Sequence, residues 1–128
     1  MALTQVVDAT RRLVINVASG MLNAQEVMEN QQALRSDPAF VGSFGSLVDL
    51  RRVVDIDISG EELRVMGQES PFDPEARRAY IVTSRSQFGL TRLYQAIINA
   101  DPTNFRIFES WEDAVAWLEG GGEGAATL

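Results

Sequence analysis

The densest set of chemically capable residues lies between positions 49 and 62, where Asp49, Asp55 and Asp57 precede Ser59 and Glu62. Carboxylates so close in sequence suit a hard cation, or acid–base work where different surroundings split the pKa values of a pair. No glycine-bearing calcium loop accompanies them, and no pair stands at a telling separation, so structural or solvated roles come first. Asp49 is expected to end a strand and Asp57 to face a turn. Ser59 reads first as a helix cap paired with Glu62 and second as a phosphate acceptor. A different chemistry is open to Phe40, Phe44 and Phe72, which fall in loops. Together with Tyr94 they suit an apolar pocket or an interface beside a partly covered sheet.

What is missing narrows the field further. The chain has no Cys, no His and no Lys, and all eleven of its basic residues are Arg. That removes thiol nucleophiles and thiolate or imidazole metal sites, near-neutral general bases, Schiff bases and the phosphate-binding P-loop. Only carboxylates, hydroxyls, Tyr and Arg are left for catalysis. No metal site and no cofactor is expected, and an enzyme is the third choice.

With 128 residues, 45% of them hydrophobic, the chain has material for a single buried core. Its net charge of −7 opposes the attraction to phosphates on which nucleic-acid binding depends. The Arg pairs at 11–12, 51–52 and 77–78 are read as solvated. The apolar run Leu13–Ala18 is broken by Asn16 and is far shorter than the roughly 18 residues that span a bilayer. The N-terminus lacks the pattern of a signal peptide, so a cytoplasmic protein without membrane insertion is expected.

Elements that would position these groups follow from period and punctuation. Leu3–Val7 and Leu13–Ser19 alternate as strands around a polar turn, the second ending at Gly20. Asn23 with Glu26, Ser59 with Glu62, Ser84 with Gln87 and Ser110 with Asp113 open four helices. Ile58 and Leu63 have the spacing of a hydrophobic staple. Between the helices lie short strands at 47–50, 79–83 and 105–108. Leu90, Leu93, Tyr94, Ile97 and Ile98 make one stripe on the third helix, with the Tyr94 hydroxyl reaching its rim. Trp111 and Trp117 are assigned to core and edge packing.

The order β-β-α-β-α-β-α-β-α predicts an α/β domain over 1–119 with a mixed, mostly parallel sheet. A Gly-rich tail at 120–128 is expected to be disordered. Leu13, Ile15 and Val17 form a strongly apolar side of the second strand, whereas Val14, Asn16 and Ala18 form a mixed one. One sheet face is therefore expected to be fully buried and the other only partly covered.

Residues 47–63, which contain Asp49–Leu50 and Asp57–Ile58–Ser59–Gly60, resemble the strand–loop–helix signature of STAS domains, the SpoIIAA-like anti-sigma factor antagonist fold. A second stretch, Phe88-Gly89-Leu90-Thr91-Arg92-Leu93-Tyr94 with Arg106–Phe108 and Ala114–Leu118, resembles a bacterial branch related to STAS and CRAL-TRIO lipid-binding domains. The resemblance implies a SpoIIAA-like fold and a role in binding or regulation. It also implies a regulatory or partner loop at Asp57, Ile58, Ser59, Gly60 and Glu62, although Ile58 stands where that family's phosphate acceptor stands. The leading expectation is a non-catalytic module acting through protein contacts, with a protein partner or as a homodimer. The alternative is a carrier of a small apolar or lipid-like ligand, which an apolar cavity would favour and a solid core would exclude.

Overall fold

A hairpin starts the sheet, and helical crossovers complete it. The structure, a computed structural model, describes residues 3–121. The tail expected at 120–128 therefore lies outside the described residues from 122 onward. Strand β1 (Leu3–Asp8) runs antiparallel to β2 (Leu13–Asn23). Helix α1 (Ala24–Arg35) then leads to β3 (Gly45–Asp57), α2 (Gly60–Gln68) to β4 (Arg78–Ile81), and α3 (Arg85–Ile97) to β5 (Phe105–Phe108). Helix α4 (Trp111–Ala116) and a closing turn, Trp117–Gly121, finish the described chain. The sheet order is β1-β2-β3-β4-β5, and every pair after the first is parallel. This is the mixed, mostly parallel α/β arrangement implied by the alternation of elements.

Each helix start is fixed by a side chain that accepts a free amide of the first turn. Asn23, Ser59, Ser84 and Ser110 accept from the backbone N–H of Glu26, Glu62, Gln87 and Asp113, respectively. At α2 the box is complete, because the Glu62 carboxylate also accepts from the Ser59 N–H at 2.8 Å.

Two strands run further than their sequence pattern indicates. Strand β2 continues through Gly20, whose φ of +68° accompanies a register shift, so that glycine marks an irregularity within the strand. Strand β3 continues past Leu50 to Asp57 because residues 52–57 pair with 19–23. Asp49 accordingly sits inside a strand, and Asp57 is a strand's last residue. Helix α3 is also rotated relative to its apolar stripe. Gln87, Thr91 and Tyr94 face inward, while Leu93 is 47% exposed.

The two sheet faces are covered in the opposite sense from the apolar pattern of β2. The mixed side, Val14, Asn16 and Ala18, is buried under α1, α2 and α3. The strongly apolar side packs under α4 only in part: Leu13 is buried, but Ile15 and Val17 are half-buried and Val6 opposite Ile15 is exposed. Three helices cover more area than one, and this helix count decides coverage where strand hydrophobicity alone does not.

Candidate functional site

Alternation along a strand sends every second side chain to the same face. On the three-helix face this places Gln5, Asn16, Ser46, Arg78 and Tyr80 among apolar residues. They line a partly enclosed cavity of about 130 Å³ between the sheet and α1–α3. Leu22, Leu50, Leu63, Met66 and Leu90 supply much of its apolar wall, and Asn30, Gln31, Thr91 and Tyr94 add polar groups from the helices.

The polar lining is only partly satisfied internally. The Asn16 side-chain oxygen accepts from Asn30 Nδ2 at 2.7 Å and from Gln5 Nε2 at 3.2 Å. Gln31 Nε2 donates to the Met66 carbonyl at 2.9 Å, which leaves Gln31 Oε1 buried without a partner among the described residues. A buried acceptor in this condition carries a desolvation cost unless something in the cavity donates to it. Burial pushes the Tyr94 hydroxyl above its ordinary pKa, while the nearby Arg78 charge and hydrogen bond act in the opposite direction. Tyr80 is pushed up as well, first by burial and then by its proximity to Tyr94. Both phenols are therefore protonated near neutrality and available as donors.

Arg78 and its neighbour Arg77 divide between the two faces of the sheet. Arg77 lies over the Trp117 ring at 5.0 Å and donates to the Trp117 carbonyl. Arg78 lines the cavity, and among the described residues it forms no ion pair with a carboxylate. This pair is thus placed against the domain core, where solvated side chains were expected.

The loop aromatics come together. Phe40 meets Phe72 edge-on at 5.2 Å and Phe44 at 6.0 Å, over Val14 and Leu34. Phe72 also lines the cavity, as does Tyr94, whereas Phe40 and Phe44 stand behind it. The 57–62 segment has a different character. Asp57, Ser59, Gly60 and Glu62 are exposed, Ile58 packs on the core, and the Ser59 hydroxyl is engaged in its cap. Only Ile58 of this segment lines the cavity.

The described residues contain no cluster of His, Cys, Asp and Glu arranged to hold a metal ion. Asp49 is instead bound within its own strand. Arg51 Nε and Nη2 reach its two oxygens at 3.0 and 2.9 Å, and the Arg51 N–H adds a third bond at 3.0 Å. Burial alone would raise the Asp49 carboxyl. The bonds from Arg51 and the charges of Arg51 and Arg52 outweigh it and hold the carboxyl below its usual range.

A solved structure with a similar fold is an uncharacterised protein of the DUF3478 family with a SpoIIAA-like fold, from Shewanella loihica PV-4. It superposes with a TM-score of 0.65 over 91% of this chain and 94% of its own, at 18% identity. The fold is SpoIIAA-like. No family model and no curated protein matches the chain. Within this SpoIIAA-like domain, Tyr80 and Gln31 carry no signal in the sequence, whereas Asn30, which the helical spacing of α1 predicts to face outward, and Arg78, expected to be solvated, both line the cavity. The signal for two cavity-lining strand positions, Asn16 and Arg78, is a polar residue at an inward-facing position of a strand. That signal becomes legible only once the buried face is known. No described helix is long and apolar enough to cross a membrane.

Proposed function

We propose that this SpoIIAA-like domain is a non-catalytic binding module that takes up a small, mostly apolar ligand between its sheet and α1–α3. The observation that carries this reading is the cavity of about 130 Å³, whose lining includes a buried Gln31 oxygen with no partner among the described residues. A core selected for stability alone is filled to crystal-like density and leaves few voids larger than a water molecule. An engineered apolar cavity of about 150 Å³ takes up benzene, so the volume here suits a ligand body of about that size. The absence of Cys, His and Lys fits binding better than chemistry on the ligand.

A second reading rests on the opposite face. Val6, 59% exposed, lies opposite Ile15 at the edge of the α4 cluster, with half-buried Val17 further along β2, and such a patch suits a protein partner or a second copy. Native mass spectrometry of protein isolated from cells, followed by denaturing mass, separates the two. A small adduct lost on denaturation supports the ligand-binding module. An adduct-free dimer with unmodified mass favours the contact surface instead.

A further inference from the structure

The cavity adjoins a second, larger hollow. An outer cleft of about 530 Å³ lies between the α2–β4 loop and the loop that follows α3, and it shares Ser70, Phe72 and Arg78 with the inner cavity. Arg78 therefore stands where the two meet. Its backbone is anchored by a hydrogen bond of 2.8 Å from its N–H to the Asn104 carbonyl. It shares the lining of the inner cavity with Tyr94, and no carboxylate pairs with it among the described residues. A half-buried cation without a counter-ion can donate charge-assisted hydrogen bonds to an anion that enters by the cleft.

We infer that the ligand is a small carboxylic acid, seated with its carboxylate on Arg78 and Tyr94 and its short aliphatic or aromatic body in the inner cavity. This rests on the ligand-binding reading above and names the chemical class. The inner volume admits a body of about six carbon atoms, by comparison with a cavity of similar size that takes up benzene. Glu75 and Asp101 line the outer cleft, and hydrogen bonds from Thr103 keep the Asp101 carboxyl below its ordinary range and hence charged. A single compact anionic head can reach Arg78 past them, whereas a polyanion extending outward meets like charge. That disfavours nucleotides and multiply phosphorylated head groups.

The test uses the full chain and three probes of one shape, hexanoate, 1-hexanol and hexylammonium, titrated by calorimetry and by methyl NMR at neutral pH. Hydrogen bonds to a charged group predict hexanoate binding about ten- to a hundredfold more tightly than 1-hexanol. In Arg78→Met, hexanoate loses its advantage over 1-hexanol. Should that variant not fold, the ranking of the three probes on the unaltered chain decides alone. Equal binding of hexanoate and 1-hexanol, or tighter binding of hexylammonium, overturns the carboxylic-acid assignment and leaves an apolar binding cavity standing. If none of the three binds or shifts a cavity methyl group, the ligand-binding reading falls as well.

Discussion

On the α4 side of the sheet, Trp117 and Phe108 meet at 5.8 Å over Leu47, Ala79 and Ile81, all of them buried. On the other side, three helices and a longer set of apolar residues close over a hollow of about 130 Å³. The difference lies in what the strands present. Toward α4, strands β3, β4 and β5 offer Leu47, Ala79, Ile81 and Phe108, which a single indole can fill. Toward α1–α3 the strands carry Gln5, Asn16, Ser46 and Arg78, whose polar groups need partners or room. The smaller cluster is the solid one, and the larger cluster has space for a guest.

The largest effect that would sharpen this contrast is expected from Trp117→Ala. Trp117 is 2% exposed, packed on Phe108 and flanked by Arg77 and Arg106. Its loss should cost about 3–5 kcal/mol in chemical denaturation. A loss below about 1 kcal/mol would mean that the α4 side is not the solid half.

Next comes a matched pair of added methylenes. Ala79 and Ala18 are both fully buried, but Ala79 faces α4 and Ala18 lines the cavity. Ala79→Leu should destabilise by about 1–3 kcal/mol through overpacking. Ala18→Leu should be tolerated within about 1 kcal/mol and should abolish uptake of 1-hexanol. Equal costs for the two would break the comparison.

A smaller effect is expected at the α2 cap, where the exposed Ser59 side chain belongs to neither cluster. Ser59→Ala should cost about 1 kcal/mol in thermal unfolding, the typical value for a lost N-cap. Because only Ile58 of the 57–62 segment lines the cavity, cavity binding should stay unchanged in this variant. A change in that binding would tie the segment to the site.

The smallest effect concerns pH. The Asp49 carboxyl is held below its ordinary value in the folded state, so it stabilises the fold above the unfolded pKa of about 3.9. That contribution is lost as pH falls through the lower, folded-state value. Asp49→Asn should flatten the acid limb of the stability profile and leave the neutral limb parallel to that of the unaltered chain. An unchanged acid limb would show that Arg51 does not hold the carboxyl down.

Much of the fold was legible because its signals are local. The Ser59–Glu62 box and the caps at Asn23, Ser84 and Ser110 are written in neighbouring residues, as is the alternation that makes β1 and the first part of β2. Strand lengths were less legible. Residues 52–57 are strand only because 19–23, more than thirty positions earlier, pair with them. The inward turn of Gln87 was hidden for a similar reason: its amide donates to Val53 and accepts from Thr83, bridging the end of β3 to the start of α3.

The candidate site was legible only in part. Phe72 and Tyr94 stood out as aromatics in a loop and on a helix, and both line the cavity. Arg78 did not stand out, because Arg77 and Arg78 are indistinguishable in sequence until the sheet assigns each a side. The order of elements, the helix starts and the exclusion of thiol, imidazole and amine chemistry belong to the sequence alone, since they depend on residue type and on spacings of a few positions. Which face is covered, which polar groups are left unpaired and where the hollow lies were decided by tertiary structure. Those features depend on the volume left when three helices and one helix close over opposite sides of a single sheet, and no local pattern encodes that volume.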